Sequence, residues 1–489
     1  MKSSPTPNIK LIQSLQLLSK EEMQRFIDFA ESKYFSGERK YRKSLECLQR
    51  LHLTGFHGMS NAKLLTHLSS ELGISNRTLL NRLSELYLIF ENFLIIEQLK
   101  NNVVEKDLLL LTSLFNRKGF RLFDYLSKKV KKSDGFLGMD LQTLENLSKI
   151  GHLESIAAFE KGYYKEYQRL SSALSIFATA HFLISLFRDS SEKIQQGIAG
   201  LSPGKLYSNI IIESMNLDKM LKLLKEEDIL LYNYVMIYYL TYKCFSDNSD
   251  TSYFNKARKI HKQILNDITA EENESIYFAF TTYCINQVSI GKDEFYRTIF
   301  DIIKEKLSFG YDSELRKNNY PVNNFRDYVI IGLRVGEIDW VRTFISKYAP
   351  LLPDSYRVDE TNISFGRIAQ YEGEFEVALK HLEKIKKKNY LHYLDTLALR
   401  IRSYCELDRT DDAYLEIERL KQYVSYHNEI PEALMKDHTY FVNDVLALLR
   451  YSEKQLTSTD LLYKLRNRKS HKPRPWIAEK FNKILDKRK

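Results

Sequence analysis

Asn76, Arg77, Asn81 and Arg82 come nearest, by type and spacing, to residues that could do chemistry. Two amide and two guanidinium side chains share the opening turns of one expected helix, and such donor-bearing side chains hydrogen-bond base edges. Elsewhere the reactive residue types are scattered. Cys47, Cys244, Cys284 and Cys405 lie far apart, without metal-ligand spacing or a disulfide framework. They read as small buried apolar residues in a reducing compartment, which points to the cytoplasm. The eleven histidines form no i, i+4 metal pair and read as structural. The chain carries no GxxxxGK[ST] phosphate loop, no strand-borne GxGxxG and no GxSxG elbow. The expectation is a protein that is not an enzyme and needs neither metal nor cofactor.

The four polar residues belong to the stretch Leu64 to Leu83, which resembles a helix-turn-helix DNA reader. Leu72-Gly73-Ile74-Ser75 would make the turn, and Ser75-Asn76-Arg77-Thr78 would open the helix that enters the major groove. This alternative makes the chain a DNA-binding regulator that reads DNA through residues 61–83 and senses partners elsewhere. Two features oppose it. The second helix runs on through Tyr87, Phe90, Phe93, Leu94 and Ile96, longer and more apolar than a recognition helix. Glu71, Glu85 and Glu91 also dilute any basic surface, and no strand pair follows to form a wing. The same residues read well as a packed hairpin, with Gly73 stopping one helix and Ser75 capping the next.

The elements around these residues follow from composition and from a repeat. Nine Pro and eighteen Gly in 489 residues are few, and no clean period-2 alternation occurs, so the chain reads as all-α. Gly336, Gly373 and Asp408 recur at intervals of 37 and 35 residues in similar surroundings. A helix–turn–helix unit repeats at about 34 residues. In the best copy Phe365 and Gly366 precede the turn at Gly373, and Ala378, Leu382 and Ile385 follow it. The next copy has Tyr404, Asp408, Ala413, Ile417 and Leu420, with Ile401 where a small residue is wanted. The preceding copy has Tyr328, Gly336, Val341, Ile345 and Tyr348, then Pro353. Looser copies surround Gly291 and Ala257-His261-Ile264, with Phe309 to Phe325 as an inserted loop or short helix.

These residues resemble the tetratricopeptide-repeat family, fairly over 322–424 and weakly over 253–305. The resemblance implies a right-handed α-α superhelix of stacked hairpins, here with an N-terminal helical domain. It further implies protein–protein interaction, with a peptide or a partner's helix in the concave groove. In that family the first helix of each repeat supplies the contacts. Carried over, the contact residues would be Asn362, Arg367 and Gln370 on one repeat and Arg400 and Arg402 on the next.

The expected organisation is a disordered leader over 1–17 and a helical domain over 18–104. Degenerate hairpins over 105–245 and repeats over 253–450 follow, then a basic helix or tail over 451–489. Ser19-Lys20-Glu21-Glu22 forms a capping box for the first long helix, and Ser246 to Ser252 reads as an internal linker. Leu170 to Phe187 has no charged residue across 18 positions, but its serines, threonine and His181 favour a buried helix, and no membrane span is expected. Lys464 to Lys489 contains eleven Lys/Arg and two Asp/Glu, so it carries nine of the net ten positive charges. Such a segment can meet nucleic acid or an acidic surface, or simply form a solvated helix.

Overall fold

A computed structural model describes residues 8–37, 39–53, 60–133, 136–198, 207–310, 319–385, 390–427, 432–457, 459–461, 463 and 475–486. No strand forms among them, so the chain is all-α. It divides into two compact units, residues 1–186 with 212–235 and residues 187–211 with 236–489.

In chain order the first half comprises α1 (Lys10–Leu15), α2 (Lys20–Glu31), α3 (Lys33–Ser36), α4 (Arg42–Leu53), α5 (Asn61–Leu72) and α6 (Asn76–Asn101). Then come α7 (Val103–Asn116), α8 (Phe120–Val130), α9 (Leu141–Glu160), α10 (Tyr164–Ile198), α11 (Tyr207–Ser214), α12 (Leu217–Glu227) and α13 (Ile229–Ser246). The capping box forms as expected: Ser19 Oγ accepts from Glu22 N at 3.1 Å and Glu22 Oε2 accepts from Ser19 N at 2.8 Å. It starts α2 so that Met23, Phe26, Ile27 and Ala30 face one core, where Phe26 meets Phe90 and Phe93 of α6.

The expected leader needs correction. Residues 1–7 lie outside the described residues, but α1 is helical and buries Leu11, Ile12 and Leu15 in the same core as α2 and α6. Three apolar residues at i, i+1 and i+4 make one sticky face on a short helix, and burial against neighbours holds it where propensity alone would not.

Helix α10 is long and apolar enough to cross a membrane by length and composition, and only 28% of its most apolar window is buried. The expected burial is therefore partial, concentrated at Ala180, Leu183, Ile184, Leu186 and Phe187. The Ser246 to Ser252 segment is a short turn pinned by Gln287, whose Nε2 donates to Asn248 O at 3.0 Å and Oδ1 at 2.7 Å.

The second half continues with α14 (Ser252–Ile264), α15 (Ala270–Ser289), α16 (Phe295–Ser308), α17 (Val322–Arg334) and α18 (Ile338–Tyr348). Next are α19 (Asp354–Glu372), α20 (Phe375–Leu382), α21 (Tyr390–Glu406), α22 (Thr410–Tyr426), α23 (Glu432–Ser452) and a final helix (Pro475–Asp486). The pairs α15/α16, α17/α18, α19/α20 and α21/α22 pack as hairpins, and α19 also touches both α17 and α21.

The turn residues behave alike. Gly291, Gly336, Gly373 and Asp408 take φ of +101°, +81°, +84° and +54°. At each, the next N–H reaches the carbonyl five residues back: Lys292 to Gln287, Glu337 to Gly332, Glu374 to Ala369 and Arg409 to Tyr404, at 2.8–3.0 Å. This is the helix stop that a left-handed residue permits. Beyond the turn Ala378, Leu382, Ala413, Ile417 and Leu420 are buried, as the repeat requires. Gly366 also matters for closeness, since a Cβ there would sit 3.1 Å from Leu382 Cδ2. Gly332 was not anticipated. A Cβ there would sit 2.5 Å from Val341 Cγ2, so its absence lets α17 and α18 meet.

Candidate functional site

Residues spaced three, four and seven apart lie on one face of a helix. On α19 these are Arg367, Gln370 and Tyr371; on α21, Asp395, Ala398, Leu399 and Arg402; on α17, Ile330, Leu333 and Arg334. All line one cavity of about 600 Å³, closed by Phe441 of α23 and by Trp476 and Glu479 of the final helix. A second cavity of about 440 Å³ adjoins it through Ile330, between α15, α16 and α17, with Tyr277, Ile299 and Asp327 among its walls.

An ionic ladder links α17, α19 and α21, and two of its members, Arg367 and Asp395, line the cavity. Arg326 of α17 pairs with Glu360 of α19, and His392 of α21 approaches the same carboxylate at 2.6 Å. Arg367 reaches Asp395 at 3.0 Å, and Arg326 Nε lies 3.7 Å from Asp395. Glu360 is fully buried. Burial pushes its pKa up, but the hydrogen bonds and charges of His392 and Arg326 outweigh that and hold it below the usual range. Burial raises the Asp327 carboxyl instead, because nearby Arg326 and Arg367 only partly offset it.

At the other end, Trp476 Nε1 donates to Glu406, and Lys480 Nζ donates to the second oxygen of Glu406 at 2.7 Å. Trp476, Ile477 and Phe481 bury into the α21–α23 core. This part of the basic segment is therefore a packed helix rather than a solvated one. Its Lys480 and Lys483 both pair with carboxylates, Glu406 and Glu479. Residues 464–474 and 487–489 of the segment lie outside the described residues.

Three of the five expected contact residues, Arg367, Gln370 and Arg402, share the main cavity. Asn362 does not: its Nδ2 donates to Val358 O at 2.9 Å, and its Oδ1 meets His381 of α20 at 3.2 Å. Arg400 turns the other way as well, toward Glu416 of α22 at 3.4 Å. Sequence reading missed Trp476 and Phe441, which reach the cavity from elements without repeat signature; the tryptophan's rarity was the only hint.

The alternative set lies on α6. Gly73 (φ +62°) stops α5, and Ser75 accepts from Thr78 N at 3.1 Å to start α6. Asn76, Arg77 and Asn81 are exposed and Arg82 is half-buried. Leu79, Leu83, Leu86, Phe90 and Phe93 on the other face fill the core of the first unit, and the helix runs for 26 residues.

Among the described residues no group of three or more His, Cys, Asp or Glu is arranged to hold a metal ion. Burial pushes the thiols of Cys244, Cys284 and Cys405 up to about 12, which leaves them protonated at neutral pH. His261, expected to be structural, is buried against Asn273 at 2.7 Å, and burial lowers its pKa to about 4. The cavity thus presents apolar and aromatic walls, paired guanidiniums, and one guanidinium (Arg402) over the Trp476 ring at 5.9 Å. No family model, curated protein or solved structure matches the chain.

Proposed function

We propose that the chain is a non-enzymatic interaction scaffold, a tetratricopeptide-like right-handed superhelix whose concave groove holds a segment of a protein partner. The observation that carries this reading is the shared cavity of α17, α19 and α21, each giving one stripe of side chains, with at least one arginine, to the same space. Left-handed turns at Gly336, Gly373 and Asp408, 37 and 35 residues apart, support the stacked-hairpin arrangement, since one hairpin alone leaves a face unburied. Four free cysteines fit a cytoplasmic setting.

The reading is tested with the full chain as bait and a groove-blocked variant beside it. Ile330 and Tyr371 are part-exposed on the cavity walls, so Ile330→Glu with Tyr371→Ala should leave the fold intact. Partners retained by the wild type, and by a control altered on the outer face of α22 (Leu415→Glu), should be lost from the groove variant. An unchanged partner set would remove the groove from the proposal.

A further inference from the structure

One guanidinium in the main cavity makes no direct ion pair among the described residues. Arg402 Nε is buried without a hydrogen-bond partner, and among the described residues its guanidinium makes no ion pair. The neighbouring carboxylates that bear on it are engaged elsewhere, Glu406 by Trp476 and Lys480, and Glu479 by Lys483 at 2.7 Å. The other two cavity guanidiniums have partners: Arg367 with Asp395 at 3.0 Å and Arg334 with Asp293 at 3.4 Å. Burial presses the Arg402 pKa down, yet guanidinium stays protonated in proteins. A part-buried cation without a direct ion pair lowers stability. Such a cost is retained where a functional site needs it.

The walls decide which anion fits. Leu333, Leu399, Phe441 and the Trp476 ring offer an apolar bed, and a cavity of about 600 Å³ accommodates one compact group. With Arg367 paired to Asp395, Arg334 to Asp293 and Glu479 to Lys483, Arg402 leaves a single positive charge. A phosphate dianion would exceed that charge and face the Asp395 and Glu479 carboxylates, whereas one carboxylate balances it.

We infer that this cavity binds an organic monocarboxylate with an apolar or aromatic body, its carboxylate paired to Arg402 and its body laid against Trp476, Phe441 and Leu399. The same chemistry is carried by a free organic acid and by the last residue of a peptide with an apolar side chain. The inference stands on the cavity alone, whether or not a protein partner fills the groove.

The test is isothermal titration of the full chain with 4-phenylbutyrate, N-acetyl-phenylalanine and a hexapeptide ending in Phe, each beside its amide. A Trp340→Phe background leaves Trp476 as the sole indole and gives a fluorescence readout at the site itself. The acids should bind and perturb Trp476, with the amides weaker by about tenfold or more, the worth of a charged hydrogen bond. Equal affinity for free acids and peptide acid identifies a free acid as the ligand, and a much tighter peptide identifies a chain end. Arg402→Met should lose the acid preference with an unchanged or raised melting temperature, and Arg402→Lys should keep part of it. A role for Arg402 in packing alone would instead lower the melting temperature and leave acid and amide alike. Amides binding as well as acids, inorganic phosphate binding more tightly than any acid, or no acid binding up to about 10 mM would each overturn the inference.

Discussion

The hairpins α5/α6 and α19/α20 close on the same device and then part company. Gly73 and Gly373 both take left-handed φ, and the following N–H bonds the carbonyl five residues back, Ile74 to Ser69 at 3.1 Å and Glu374 to Ala369 at 2.8 Å. Each hairpin carries a stripe of amide and guanidinium side chains. On α6, Asn76, Arg77 and Asn81 face solvent because the opposite face is consumed by its own core. On α19, Glu360, Arg367 and Gln370 are enclosed because α17 and α21 lie alongside. The same turn chemistry thus permits an outward or an inward polar stripe, and the neighbours select between them.

The largest expected effect breaks the inward stripe. Glu360→Gln removes the buried carboxylate that faces Arg326 and His392 and should cost about 3–5 kcal/mol, read by chemical denaturation. The pair replacement Arg326→Met with Glu360→Leu should recover much of that loss. A wild-type denaturation midpoint for Glu360→Gln would mean that these ion pairs do not hold the three helices together.

The glycines give a smaller, graded comparison. Gly332→Ala forces a methyl against Val341 at 2.5 Å and should cost about 1–3 kcal/mol by overpacking. At Gly73 and Gly373 an added Cβ meets no atom within 4 Å, so only the left-handed φ opposes Ala, at about 1 kcal/mol each. Thermal melts in which Gly73→Ala and Gly373→Ala differ severalfold would show that the two turns are not equivalent.

Smallest is the outward stripe. Arg77→Ala with Arg82→Ala should change stability by no more than about 0.5 kcal/mol. The double variant should also leave any salt-dependent DNA retention unchanged. A clear loss of such retention would restore the DNA-reading alternative for α6, and with it a function for the outward stripe.

Arg400 and Arg402 show where sequence reading runs out. Two positions apart on α21, they lie about 200° apart around the helix. One meets Glu416 on the hairpin partner, and the other enters the cavity under Trp476. Nothing in the local sequence says which direction holds a partner helix and which holds open space. Asn362 and Gln370 divide in the same way, the first tied to Val358 and His381, the second enclosed against Leu399 and Ser403. Trp476 adds distance to the difficulty, because its partner Glu406 lies 70 residues earlier in the chain.

Local rules were therefore enough for the all-α class, the capping box at Ser19, the turns at Gly73, Gly291, Gly336, Gly373 and Asp408, and the buried faces beyond them. Each of these depends on backbone sterics and on side-chain period within one or two helical turns. The helical fate of Lys10–Leu15, the enclosure of Glu360, the choice between Arg400 and Arg402, and the closure of the cavity by the final helix came only with the tertiary structure. Burial is a property of what packs against a residue, and that is supplied by segments tens of residues away.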